Sequence, residues 1–211
     1  MARPLQLRVE LVGVEPLVWR RIILTDVLTL LELHVVLQGA MGWQDSHIHS
    51  FEIGGFKYEV PEDDVYGPEE GYLDEREFVL EGVLKGISEF EYMYDPGDNW
   101  RHRIEVENVI PSIHQRMYWA SCIDGQNACP PEDSGGPYDY PDILVVLNDE
   151  RHPEHHDTLR WLGSFNPKEF SISQATTQIG LLCTIYRERG KGFLANWSEV
   201  LVGLYAEQDN N

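Results

Sequence analysis

Apolar and polar residues alternate along several stretches of the chain, most clearly across residues 89–107. Phe90, Tyr92 and Tyr94 interleave with Glu91, Met93 and Asp95, while Trp100, His102, Ile104 and Val106 interleave with Arg101, Arg103, Glu105 and Glu107. A period of two on both arms, with the turn formers Asp95-Pro96-Gly97-Asp98-Asn99 between them, predicts a β-hairpin over residues 89–109, closed by Pro111. His102 then faces the apolar side with Trp100 and Ile104. The same alternation over residues 5–12 and 18–24 predicts two antiparallel neighbours. Residues 47–53 put His47, His49, Phe51 and Ile53 on one strand face, and Gly54-Gly55 turns that strand into another over residues 56–60.

Helical spacing takes over elsewhere. Thr29 and Glu32 form a capping box ahead of Leu30, Leu33, Val36, Leu37, Ala40 and Met41, and Gly42 stops that helix. Further helices are predicted from Asp139 through Tyr140, Ile143, Leu144 and Leu147, with Pro141 in the first turn, and through Leu159, Trp161 and Leu162 to Gly163. Another, capped by Ser171 or Ser173, carries Ala175, Ile179, Leu182, Cys183 and Tyr186. Residues 78–84 fit either a strand or one helical turn. Residues 120–137, ASCIDGQNACPPEDSGGP, are dense enough in Gly, Pro, Asp, Ser and Asn to predict a loop. After RERGKG at 187–192, Trp197, Val200, Leu201, Leu204 and Tyr205 line one stripe of an Asn196-capped segment. That stripe either packs back on the domain or docks on a second copy, forming a homodimer through residues 193–205. The pattern as a whole predicts an α+β fold, a mixed or antiparallel sheet with helices packed on it, as a single domain over residues 1–186 followed by a C-terminal extension, 187–211.

Composition narrows the function classes. With 42% hydrophobic and 25% charged residues in 211, the chain has the make-up of a folded globular protein. No apolar run approaches the roughly 20 residues that span a bilayer, and no secretion signal opens the chain, so a cytoplasmic location is expected. Thirty-six acidic against sixteen basic residues give a formal charge of −20, which opposes contact with phosphate backbones and anionic membranes. Part of the excess is local. Residues 59–81 hold ten acidic residues and one basic residue, Arg76, and read as a solvated acidic loop ending near Glu77. The three cysteines, Cys122, Cys129 and Cys183, are expected as reduced thiols, and the spacing of Cys122 and Cys129 is too wide for a zinc knuckle.

Candidate chemistry gathers in three segments. The hairpin offers Asp95, Asp98, Trp100 and His102; the strand before Gly54 offers His47 and His49; the loop offers Glu132 and Asp133 on a backbone stiffened by Pro130-Pro131. Long loops inside compact domains are commonly functional, although capping of the next helix explains the two acids equally well. His47, His49, His102, Glu132 and Asp133 are residue types that hold a divalent metal. His152, His155 and His156 are too solvated to do so convincingly.

Five segments in this order, QGAMGWQDSHIHSFEI, YMYDPGDNWRHRIEVE, CIDGQNACPPEDSGGP, DERHPEHHDTLRWLG and FNPKEFSI, resemble the plasmid Ri open-reading-frame-three-like family, whose members are also met as transposon passenger proteins labelled TnpR-like. The resemblance covers about residues 5–186. It implies an α+β fold with a sheet flanked by helices and no established activity. Its motif positions fall on His47, His49, Asp95, Gly97, Asp98, Trp100, His102, Gly125, Pro130, Pro131, Glu132, Asp133 and Gly136. Pro96 departs from the family's hydrophobic or aromatic residue. The TnpR label suggests a resolvase, but a chain with this charge and no basic reading element does not fit one.

Three readings follow. The first is a binding or interaction module for an unknown protein or small molecule, with its pocket where the three segments converge. The second is a metal-dependent hydrolase using their His, Asp and Glu side chains. The third is an acidic mimic of nucleic acid. Nucleophilic chemistry at Cys122 or Cys129 lacks an identifiable base.

Overall fold

The alternating stretches assemble into one eight-stranded sheet of order β5-β4-β3-β6-β7-β1-β2-β8. The computed structural model describes residues 3–61, 69–107 and 120–189. Its strands are β1 (Pro4–Leu11), β2 (Trp19–Thr25), β3 (His49–Ile53), β4 (Phe56–Glu59), β5 (Tyr72–Asp74), β6 (Glu89–Tyr94), β7 (Trp100–Glu107) and β8 (Ala120–Gln126). Every pairing is antiparallel except β4 with β5, so the fold is α+β with a mixed sheet. The helices are α1 (Leu30–Met41), α2 (Leu80–Val83), α3 (Gly136–Asn148), α4 (His155–Leu162) and α5 (Ile172–Arg189). None of the described helices is long and apolar enough to cross a membrane.

Alternation gives the sheet two unlike faces. Leu7, Val9, Ile22, Leu24, Phe51, Phe90, Tyr92, Trp100 and Ile104 turn inward and are buried. Outward, the strands carry a lattice of ion pairs: Arg8 with Glu10 at 2.7 Å, Arg21 with Glu107 at 2.7 Å, Arg101 with Glu91 at 3.0 Å and Arg103 with Glu10 at 3.1 Å. Pairs this accessible add little stability each, but they keep one face wet and fix which face is core.

Helix α1 begins with the predicted capping box, since Thr29 accepts from the Glu32 amide and Glu32 accepts from the Thr29 amide. It ends where Gly42 turns left-handed at φ 90°. Between these caps eleven of its twelve residues are buried, because sheet side chains cover one side and α5 the other. A methyl at Gly39 would sit 2.7 Å from the Ile179 Cα, so the two helices touch backbone to backbone there. Ser171 caps α5 by accepting from the Gln174 amide.

Several expectations are corrected. Residues 120–126 are not loop: β8 pairs along β2 with a bulge at Arg21/Ile22, and the edge position tolerates a polar sequence that a central strand would not. Gly125 lets Phe170 and the Trp19 carbonyl approach within 2.7 and 2.8 Å of where a Cβ would stand. The acidic stretch is not uniformly solvated, because it holds β5 and a 3₁₀ turn (Glu75–Glu77) that buries Glu75 completely. Residues 78–84 resolve into the single turn α2. Helix α3 starts at Gly136, ahead of the expected Asp139, with Pro137 in its first turn and Pro141 inside it. The predicted stripe at 193–205, Pro111 and part of the acidic stretch lie outside the described residues.

Replacing Gly39 with Ala forces α1 and α5 apart against backbone that cannot rotate away. The expected loss is about 2 kcal/mol in urea unfolding with little change in m-value; an unchanged midpoint would show that the helices separate freely.

Candidate functional site

The segment between α1 and β3, residues 42–48, is pinned by neighbours on every side. The Trp43 indole N–H donates to the Pro130 carbonyl (2.9 Å), the Gln44 amide to Glu132 Oε1 (2.8 Å), and the Ser46 amide to the Tyr94 hydroxyl (2.9 Å). The Trp43 ring stacks on Tyr94 with centroids 4.7 Å apart. At the hairpin tip Asp95 adopts φ 49°, and its Oδ1 accepts from the Gly97 and Asp98 amides. Asp98 in turn accepts from the Gly135 amide at 3.0 Å. Gly136 passes so close to the Asp98 carbonyl that no Cβ fits. Loop, tip and segment are thereby laced together by hydrogen bonds that consume backbone donors.

His47 sits at the junction. Its Nε2 is 3.1 Å from Asp133 Oδ1, 3.5 Å from Asp95 Oδ2 and 3.9 Å from Glu132 Oε2. Asp133 is exposed, His47 half-buried, and Asp95 and Glu132 more covered. Elsewhere in the molecule carboxylates are met by arginine, as Asp26 is by Arg3 and Glu107 by Arg21. Among the described residues no lysine or arginine pairs with Asp95, Glu132 or Asp133. Burial pushes the Glu132 carboxyl up from its ordinary value, and donation from the Gln44 amide and the Tyr94 hydroxyl only partly opposes this. Burial and the adjoining carboxylate push the Tyr94 phenol well up, so it stays a donor.

His49 does not join His47. Strand β3 starts only at His49, so the shared strand face predicted for the two imidazoles does not extend back to His47. His49 instead reaches Glu75 through Nε2 at 2.8 Å and lies flat on His34, ring centroids 3.4 Å apart and planes within 5°. His34 Nε2 lies 2.9 Å from Asp45 Oδ1 and its Nδ1 lies 2.8 Å from the Tyr92 hydroxyl. Burial and the neighbouring imidazole lower the His34 pKa more than Asp45 restores it. Burial pulls the His49 imidazole down too, but the charge and hydrogen bond of Glu75 outweigh it and the result is raised. His34, His49 and Asp45 bring ligand-type atoms close together, yet an ion shared by both rings would stand about half the 3.4 Å separation out of each ring plane. Imidazole binds metals with an in-plane lone pair, so the stack as built is not a two-histidine metal site.

The other predicted residues lie apart. Trp100 and His102 are buried in the core, and the Trp100 Nε1 and His102 Nε2 atoms have no hydrogen-bond partner among the described residues. His102 Nδ1 lies 3.3 Å from the Tyr92 carbonyl, and burial lowers its pKa to about 4. Cys122, Cys129 and Cys183 all have thiols pushed up by burial, the opposite of an activated nucleophile. Pro130 and Pro131 contribute carbonyls, to Trp43 and to the Ser134 hydroxyl. His155 is spent on the Val146 carbonyl across α3 and α4. The cleft of about 740 Å³ lined by Arg3, Asp26, Leu80, Glu81 and Lys85 lies at the other end of α1, away from all three predicted segments. His34, Gln38, Asp45 and Glu75 went unpredicted. The available signal was His34 and Gln38, polar residues four apart in a helix whose other polar side chain, Glu32, is spent on its N-terminal cap.

His102 gives a pH prediction. Its folded pKa lies below the unfolded value near 6.5, so its contribution to stability is complete above pH 6.5 and is lost as pH falls toward about 4. Between pH 7 and pH 5 the native protein should lose about 2 kcal/mol more than His102→Leu in urea unfolding; equal losses would refute a buried neutral imidazole.

Comparison with known proteins places the chain in a family. The family described as plasmid pRiA4b ORF-3-like protein matches residues 3–174. The chain is 36% identical over 166 residues to the uncharacterized protein y4hQ of Sinorhizobium fredii, covering 78% of this chain and 83% of that one. The crystal structure of the protein of unknown function MM3350 from Methanosarcina mazei Go1 superposes with a TM-score of 0.72 at 31% identity, covering 82% of this chain and 97% of that one.

Proposed function

The chain belongs to the plasmid pRiA4b ORF-3-like family, and because the relatives named above are uncharacterised, we propose from its own atoms that it is a binding module for a divalent transition cation, held by His47, Asp95, Glu132 and Asp133. The observation that carries this reading is that one imidazole nitrogen has three carboxylate oxygens at 3.1, 3.5 and 3.9 Å and, among the described residues, no lysine or arginine pairs with them. Gathering that much negative charge costs free energy that a bound cation returns.

The spacing supports an ion. With bonds of about 2.1 Å, the donor atoms around a tetrahedral or octahedral metal stand roughly 3.0 to 3.4 Å apart. The ligand-type atoms of His47, Asp95 and Asp133 all lie within 4.8 Å of one another, and Glu132 Oε2 stands 3.9 Å from His47 Nε2, so the side chains draw inward around the ion. One imidazole with carboxylates suits Zn²⁺ or Mn²⁺ better than a thiolate-seeking metal. The ligands are also held from behind: Asp95 by two amides, Glu132 by the Gln44 amide and the Tyr94 hydroxyl. Since burial raises the Glu132 pKa, protons compete with the cation there and affinity rises with pH.

Titration calorimetry of the full chain with MnCl₂ or ZnCl₂ should give one site per chain. His47→Ala and Glu132→Gln should each weaken it at least tenfold and abolish the accompanying rise in melting temperature. Failure of the native protein to bind either ion, or His47→Ala binding undiminished, would overturn the proposal.

A further inference from the structure

Beneath the cluster, four residues close a ring of hydrogen bonds, three of its links between side chains and the fourth from the Asp45 backbone amide. Neutral His34 must donate from Nε2–H, because Asp45 Oδ1 can only accept, which leaves Nδ1 to accept from the Tyr92 hydroxyl. The Tyr92 oxygen accepts from Gln38 Nε2 at 3.1 Å, and Gln38 Oε1 accepts the Asp45 backbone amide at 2.8 Å. The circuit runs Gln38 to Tyr92 to His34 to Asp45 and back to Gln38, with every donor facing an acceptor. Gln38, Tyr92 and His34 are buried, and the Asp45 side chain nearly so.

The ring is rigid for reasons outside itself. His34 and Gln38 are four residues apart on α1, a helix clamped between sheet and α5. Tyr92 stands on the central strand β6. The free face of His34 is covered by His49, itself fixed to buried Glu75. The Gly42 and Trp43 amides both donate to the Gln38 carbonyl, tying the start of the following segment to the same turn of α1. Asp45 is therefore the one member of the ring on a non-repetitive segment, and it is held at φ 53°, a left-handed conformation that costs a residue other than Gly, Asn or Asp more.

The contacts that build the surface cluster from this side come from residues within two positions of Asp45. Gln44 holds Glu132, Ser46 holds Tyr94, which in turn holds Glu132, and His47 is the imidazole itself. We propose that Asp45, locked to His34 and Gln38, is the positioning residue of the His47 site, presetting His47 and Glu132 before any cation arrives. The proposal deepens the cation-binding reading and rests on it for the purpose of the arrangement, but the presetting itself is a property of the ion-free protein. Preorganisation of this kind removes the ordering cost from binding.

Substitutions that respect the left-handed backbone separate anchor from strain. Asp45→Gly accepts φ 53° at least as readily and deletes the link to His34; Asp45→Asn accepts it too and keeps an oxygen to receive the His34 Nε2–H. In ion-free protein, amide exchange at Gln44 and Ser46, read by NMR, should quicken at least tenfold in Asp45→Gly and stay within about threefold of native in Asp45→Asn. Far-ultraviolet dichroism and the melting transition establish that each variant is folded. The Mn²⁺ dissociation constant should rise about tenfold in Asp45→Gly and recover in Asp45→Asn. Unaltered exchange in Asp45→Gly overturns the proposal, as does equal loss in both variants, which would make the Asp45 charge, not its anchoring, the operative property. If the native protein binds no Mn²⁺ while the exchange pattern holds, the cation reading falls and the anchoring stands.

Discussion

A helix covered on both sides has no solvent-facing position for its polar side chains, and α1 is such a helix. Gln38 and His34 sit on turns where the packing offers only core, so each must be fully hydrogen-bonded or destabilise the protein by a few kcal/mol. The solution recruits a tyrosine from the sheet and an aspartate from the segment after the helix. Core polarity thus determines the path of a surface segment. Geometry runs outward from α1 to Asp45, from Asp45 to its neighbours, and from these to Glu132 and the tip of the hairpin.

What could be read from the sequence was whatever local periodicity or capping specifies. The hairpin alternation placed Tyr92, Tyr94, Trp100 and His102 inward, and the Thr29–Glu32 box marked the start of α1 to the residue. Strand β8 was illegible because its pairing is supplied by β2, not by its own composition: Ser121, Asp124 and Gly125 are turn formers that an edge strand can carry. Glu75 was illegible for the complementary reason. In a run of acids nothing local distinguishes the one carboxylate that a tertiary partner, His49, draws inside. The convergence of Asp95, Glu132 and Asp133 on His47 was visible as three chemically rich segments, but the distances between them depend on the Asp98–Gly135 and Trp43–Pro130 hydrogen bonds, which have no sequence signature.

The same dependence explains which predicted residues fall away from the cluster. His102 belongs to the alternation and goes where the alternation sends it, into the core beneath Trp43, with centroids 5.2 Å apart and an edge-on contact. Its chemistry is suppressed, since burial holds it neutral. The cysteines are treated likewise, with thiols raised by burial and Cys122 capped by the Asp124 carbonyl. Chemically capable side chains are therefore common in this core, and those at its rim keep their access.

His47 and His49 are the sharpest case. They are separated by one residue, and a strand running through both would have aimed them alike. The strand begins at the second, so the two imidazoles meet opposite surroundings. His49 enters the interior, where Glu75 and the face of His34 occupy it on two sides and leave no in-plane room for an ion shared with that ring. His47 stays at the surface, within 4 Å of three carboxylates drawn from two other segments. A cation arriving at the first would have to break a buried ion pair and separate a stacked ring; at the second it would meet carboxylates that no lysine or arginine pairs with among the described residues. Burial thus divides two chemically identical side chains into an enclosed one and an accessible one.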